Sequence, residues 1–210
     1  MSRRNRLLVL LGFFILLSAG FMFYYFKEFK DAPKTLAVVG NPGHVVEPFS
    51  FTDQNGATVT DKDVAGKIHI VEYFFTTCKG ICPKMNDNMA KVYAAFRGNN
   101  DVKILSHTVT PQIDSAHVLK AYAERYEADP AQWKFLTGAK QELYDKAEQS
   151  YLISALENQK GLSIEEKFLH DKHFVLVDRQ GRLRGKFYDG TDAGEVQQLI
   201  GDIKELLKEK

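Results

Sequence analysis

Ile68-His69-Ile70-Val71-Glu72-Tyr73-Phe74-Phe75-Thr76-Thr77-Cys78-Lys79-Gly80-Ile81-Cys82-Pro83 holds, in sixteen residues, a strand, a turn and the start of a helix. Residues 68–75 are mostly β-branched or aromatic, the composition of a buried strand. From Cys82 onward, Met85, Met89, Val92 and Phe96 recur at helical spacing. Between strand and helix lie Cys78 and Cys82, the only two cysteines of the 210-residue chain. Such a junction exposes backbone N–H groups and the positive end of the helix dipole, both of which lower thiol pKa values. The pair is therefore expected to ionise more readily than an ordinary thiol, whose pKa is about 8.5. The bland alternative is two small buried hydrophobes, but the chain's only cysteines would then fall together by chance.

Working outward, residues 48–51 and 57–60 flank Asp53-Gln54-Asn55-Gly56, an Asn-Gly hairpin signal. After the first helix, residues 102–109 read as a strand, and Asp114 as the N-cap of a helix reaching Tyr126. A shorter helix is expected over 141–150. Residues 174–177 and 183–188 form a second hairpin around Gly181, and Asp192 with Glu195 three residues later opens a last helix ending near Leu207. Strand, helix, strand, then hairpin and helix indicate one α/β domain over 45–210, with helices on both faces of a mixed sheet. The insertion at 156–168 reads as a surface loop or hairpin.

Residues 7–26 carry no charge for twenty residues. At about 1.5 Å per helical residue they match a hydrocarbon core of roughly 30 Å. A cleaved signal would have a shorter apolar region ending at small residues, whereas this one ends in Phe21-Met22-Phe23-Tyr24-Tyr25-Phe26. An uncleaved transmembrane anchor is expected, with residues 1–6 as a cytoplasmic tail and 27–44, punctuated by Pro33, Gly40, Pro42 and Gly43, as a tether. Arg3, Arg4 and Arg6 precede the span while Lys27, Lys30 and Lys34 follow it. The short tail is read as the cytoplasmic end, which puts residues 27–210 on the extracytoplasmic side. Without the three Arg of the first 26 residues, 25 basic side chains face 27 acidic ones, a net charge of −2. That argues against nucleic-acid binding.

Two cysteines are too few to staple a fold, so the chemistry is a redox couple or a pair of thiolate ligands. A dithiol of the thioredoxin type has two residues between its cysteines. Here there are three. Structural zinc would need a second close ligand pair, which is missing, whereas copper accepts fewer and softer ligands. Two thiolates and one imidazole suit Cu(I), or Cu(II) with a further oxygen or nitrogen. Of the six histidines, His69 lies within an apolar strand, His117 on a helix surface and His44 in the tether. His107 ends a strand, and His170 and His173 precede the strand at 174–177.

The domain resembles the Sco/SenC family of membrane-anchored, thioredoxin-fold copper proteins that help assemble the copper site of cytochrome c oxidase. The likeness covers about 45–205. It rests on the hairpin at 49–60, Gly66-Lys67, the strand ending Tyr73-Phe74-Phe75-Thr76-Thr77-Cys78, the two cysteines with Pro83 after the second, Leu119-Lys120-Ala121-Tyr122, and Leu176-Val177-Asp178-Arg179-Gln180-Gly181. The family's copper ligands are the two cysteines and a histidine eleven residues before the glycine of the last turn, which is His170 here. His173 is the second candidate. Lys79 stands where the family often has Pro, Leu169 where it has an acid, and Thr110-Pro111 where it has Asp-Pro. These departures leave the ligand set intact and alter the groups around it.

The resemblance implies a thioredoxin-like mixed sheet with an N-terminal β-hairpin, a copper site of Cys78, Cys82 and His170, and a metallochaperone rather than an enzyme. Expected partners are the copper-bearing oxidase subunit and a thiol reductase or another copper carrier, since the thiols must be reduced to take metal. Two alternatives belong to enzyme classes. A thiol–disulfide reductase would use Cys78 and Cys82 on the oxidase cysteines, and a thiol peroxidase would use Cys78 alone. Thioredoxin-like reductases place a Pro before the strand facing the dithiol, but no proline follows Pro130 in this chain.

Overall fold

The computed structural model describes residues 2–30, 35–153 and 171–209. His170 and the 156–168 insertion lie outside the described residues. The N-terminal unit is one helix, α1 (Arg3–Lys30), of which Arg3–Phe26 is long and apolar enough to cross a membrane. A second compact unit begins at Leu36.

That unit contains β1 (Val38–Val39), β2 (Ser50–Asp53), β3 (Thr58–Thr60), α2 (Asp61–Val64), β4 (Ile68–Phe74) and α3 (Ile81–Phe96). There follow β5 (Val102–Thr108), α4 (Ala116–Glu124), β6 (Trp133–Thr137), and α5 (Lys140–Asp145), which runs into a π-helical turn at Lys146–Ser150. After the undescribed stretch come β7 (His173–Val177), β8 (Leu183–Asp189) and α6 (Ala193–Lys208). The strands form one mixed sheet in the order β1-β8-β7-β4-β5-β6-β2-β3. β4 pairs parallel with β5, and β5 parallel with β6, while β7 runs antiparallel to β4 on its other side. This is a thioredoxin-like sheet with an added N-terminal hairpin.

All seven residues of β4 are buried, because both faces of the sheet are covered. On one face Ile68, Ile70 and Phe74 pack with Met85, Met89 and Val92 of α3, Leu119 of α4, and Val196, Leu199 and Ile203 of α6. On the other, Val71 and Tyr73 pack with Phe51, Val59, Leu105, Leu143, Tyr151 and Val175. The alternation of a strand thus assigns each side chain to one of two cores.

One expectation needs amendment, and one strand was not anticipated. Residues 36–44, assigned to the tether, include an edge strand: Val38 and Val39 pair with Arg184 and Leu183, and the Leu36 carbonyl accepts from the buried Arg184 guanidinium. Strand β6 has no clear sequence signal, since five residues with two polar positions lie just after Pro130. Its identity comes from tertiary pairing, the parallel ladder to β5 running from Ile104 against Trp133 to His107 against Leu136.

His69 and His107 sit on the second face, buried, and neither ring nitrogen has a hydrogen-bond partner among the described residues. The His107 ring stacks on Tyr73 at 4.9 Å and meets the edge of Phe51 at 5.5 Å. Burial lowers the pKa of His107 to about 3 and of His69 to about 4. The unfolded chain therefore takes up protons below about 6.5 that the folded one refuses, and stability falls as pH drops through that window. Glu72 acts oppositely, because burial raises its carboxyl to about 7 and the fold loses stability as pH rises from about 4.5 to 7. Two histidines outweigh one glutamate between pH 4.5 and 6.5. A His107→Phe variant, unfolded in urea and followed by Trp133 fluorescence, is expected to lose less stability on acidification from pH 6.5 to 4, by on the order of 2–3 kcal/mol. An unchanged acid slope would mean that His107 titrates in the fold as it does in the unfolded chain.

Candidate metal centre

The β4–β5 ladder ends where the Val109 N–H donates to the Phe74 carbonyl at 2.9 Å. Beyond it the chain turns sharply, the Cys78 N–H donating to the Phe75 carbonyl at 3.2 Å. Gly80 then caps α3, placing Ile81, Cys82 and Pro83 in its first turn, where a proline's missing N–H costs nothing. The Asn86 side chain donates to the Cys82 carbonyl at 3.0 Å, and Asn88 fastens α3 to the Gly190 carbonyl at 2.7 Å.

The junction brings the two cysteines to one core as free thiols. They are unequal. Cys78 is half-buried at the rim of the first core, whereas Cys82 is 3% exposed and belongs to it. The expectation of two easily ionised thiols is therefore corrected for Cys82. Burial foremost, and then the Cys78 side chain, pushes it up to about 12. Desolvation outweighs the helix N-terminus because the side chain points into the core rather than along the exposed N–H groups. Behind it lies Glu72, wholly buried, accepting from Ser106 Oγ at 2.5 Å, while Trp133 Nε1 donates to the same hydroxyl at 2.8 Å.

The histidines sort by face. His107 shares the second core with Tyr73 and Tyr151, across the sheet from Cys82. His173 is also turned away: Phe174, its neighbour, packs with Cys82 in the first core, while His173 meets Phe187 and engages the buried Asp171 through Nδ1 at 2.8 Å. His44 Nε2 reaches the Ser150 carbonyl at 2.8 Å, and His117 is exposed on α4. His170 lies outside the described residues. Of the three sequence-predicted ligands, the fold thus unites Cys78 and Cys82. A cleft of about 500 Å3 lined by Glu47, Phe49, Phe51, Glu142 and Lys146 contains neither.

Asp114 departs from its expected role. The cap of α4 is Ser115, whose Oγ accepts from the Val118 N–H at 3.5 Å. Asp114 is instead buried, its carboxylate bonded to Thr76, Thr108 and Thr110. The sequence signal for this was present: three threonines at the ends of two adjacent strands and one nearby acid.

A thioredoxin-like mixed sheet with two interacting thiols at a strand–helix junction defines a class, the proteins that do thiol or thiolate-metal chemistry at the end of a central strand. The comparisons narrow it. Residues 39–208 match the SCO1/SenC family model, and the chain belongs to that family. It is 30% identical over 160 residues to the SCO1 protein homolog of Bacillus subtilis (strain 168), covering 76% of this chain and 81% of that one. Among solved structures it resembles BsSco, described as a member of the Sco family of cytochrome c oxidase assembly proteins and as having a disulfide switch. That match has 28% identity and a TM-score of 0.66, with 82% of this chain and 99% of that one covered. Bradyrhizobium japonicum ScoI, solved with copper bound, shares the fold at 22% identity and a TM-score of 0.59 over 77% of this chain and 99% of that one.

The difference between the two thiols has a direct chemical readout. In the reduced protein, iodoacetamide is expected to label Cys78 at least about tenfold faster than Cys82, because the thiolate is the nucleophile and access is required. Peptide mass spectrometry over a time course measures both rates. Equal labelling would contradict the buried position of Cys82.

Proposed function

We propose that this chain is a membrane-anchored copper metallochaperone that assembles the copper site of cytochrome c oxidase. The observation that carries the reading is the meeting of Cys78 and Cys82, two soft donors with no other cysteine in the chain. Thiolates select copper among the first-row metals that could be held by so few ligands. Copper is the cargo, held by Cys78, Cys82 and His170. Family membership supports this, as do the oxidase-assembly description of BsSco and the copper held by Bradyrhizobium japonicum ScoI. The α1 helix would hold the domain beside its target on the extracytoplasmic face of the inner membrane, and this confinement raises the effective concentration. A weak transfer interface then suffices. The partners in this reading are the copper-bearing oxidase subunit and a donor of reducing equivalents or copper.

A second reading is favoured by the unequal burial of the thiols. In a thiol–disulfide reductase, Cys78 would attack the partner disulfide and Cys82 would resolve the mixed disulfide, leaving the partner's cysteines reduced and this pair oxidised.

Copper titration of the reduced full chain in detergent, in competition with a chelator, separates the readings. The parent is expected to bind one copper with a thiolate-to-copper absorption band. Cys78→Ala and His170→Ala are each expected to weaken binding by at least about a hundredfold, beyond the range usual for outer groups, while His173→Ala changes it little. Unchanged binding in His170→Ala would overturn the three-ligand set. Reduction of an oxidase-peptide disulfide by a chain that takes up no copper would establish the reductase.

A further inference from the structure

We infer that Asp114 is the positioning residue of the Cys78 turn, holding the thiol where the metal requires it; this rests on the copper reading above. The carboxylate is 0% exposed and accepts from four donors. Two belong to Thr76, whose N–H reaches Oδ2 at 3.2 Å and whose hydroxyl bonds Oδ1. The other two are the hydroxyls of Thr108, at the end of β5, and Thr110 at 3.0 Å, both on Oδ2. The Thr110 N–H donates to Thr108 Oγ1 at 3.0 Å, which turns the Thr108 hydroxyl hydrogen towards Asp114.

The position of Thr76 gives this cluster its meaning. The last ladder bond closes at Phe74, and helix α3 begins at Ile81. The cysteine-bearing segment between them leaves the sheet, and Thr76 is the second residue of the turn closed by Phe75 and Cys78. Asp114 grips that residue by its backbone and its side chain together. It therefore fixes the turn against the end of β5 in position and in orientation, two residues before the sulfur. Fastening a loop to a fold does not require this chemistry, since an apolar contact would serve without burying a carboxylate. A carboxylate that accepts from several donors at defined angles controls geometry, which is what a metal ligand needs from the groups behind it.

Asp114→Asn keeps the volume and removes one acceptor oxygen, so the donors can no longer all be satisfied. The reduced full chain carrying it is expected to bind copper about 10–100-fold more weakly, with a shifted thiolate-to-copper band. Thr76→Val, which removes only the hydroxyl, is expected to shift the band in the same way, and Thr76→Ser to restore it. Asp202→Asn, which weakens the Tyr188–Asp202 bond at α6, serves as the stability control and is expected to leave affinity and band unchanged. A metal-free readout keeps this inference distinct from the copper reading: the ratio of Cys78 to Cys82 alkylation rates should change at least about threefold in Asp114→Asn and Thr76→Val, by the dependence of thiol reactivity on environment. If the parent itself binds no copper, the copper reading fails while the alkylation ratio still decides whether Asp114 positions Cys78. Parent-like affinity, band and alkylation ratio in Thr76→Val would overturn the inference, as would equal effects of Asp202→Asn.

Discussion

The parallel pairing of β4 with β5, from Ile68 against Val102 to Phe74 against Thr108, is the constraint on which the rest of the structure depends. Parallel strands cannot be joined by a hairpin, so the chain must cross over through a helix, here α3. That crossover puts a strand–helix junction at the carboxyl end of a central strand, and the junction carries both cysteines. The same pairing places the ends of β4 and β5 side by side, bringing Thr76 and Thr108 within reach of one carboxylate. Binding turn and supporting group therefore follow from a single register. A slip of one residue would send every side chain of β4 to the opposite core and Glu72 to the wrong face.

The sheet then sorts donors by parity. Cys82, Glu72 and Trp133 lie with the α3 and α6 core, while His69, His107 and His173 face the other way. A histidine near the end of β5 is not thereby a neighbour of the sulfurs, because His107 sits opposite Tyr73 in the ladder and shares its face of the sheet. The imidazole on β7 is further removed by its own buried partner, Asp171. Its ring is occupied with that carboxylate and with Phe187, and a change of partner would leave a buried acid without its side-chain donor.

Much of this was legible in the sequence because strong local signals agreed with the tertiary arrangement. The run from Ile68 to Phe75 reads as a strand, Gly56 and Gly181 adopt the positive φ that their hairpin turns need, and Asp192 caps the last helix by accepting from the Glu195 N–H. Where local rules failed, a tertiary partner had overridden them. Asp114 has the right side chain for a helix cap, but three hydroxyls and an N–H from the strand ends satisfy it better than the single N–H offered by α4. Cys82 sits at a helix N-terminus, yet burial decides its acidity. The strand β6 depends on ladder partners that no window of sequence contains.

The difference between the thiols bears on how a carrier of this construction would hold and release its cargo. A metal must displace the proton of each thiol it binds, and the proton on Cys82 is held firmly by a low-dielectric surrounding. Part of the binding free energy would be spent on that deprotonation, so the net affinity would be lower than two exposed thiolates would give. In such a carrier Cys78, at the rim, would meet an incoming metal or partner first, and Cys82 would complete the site from within. Release would reverse the order: an acceptor would approach from the Cys78 side, and reprotonation of the buried thiol would favour departure. A tight site would be suited to storage. A site whose inner ligand resists ionisation would be suited to passing the metal on.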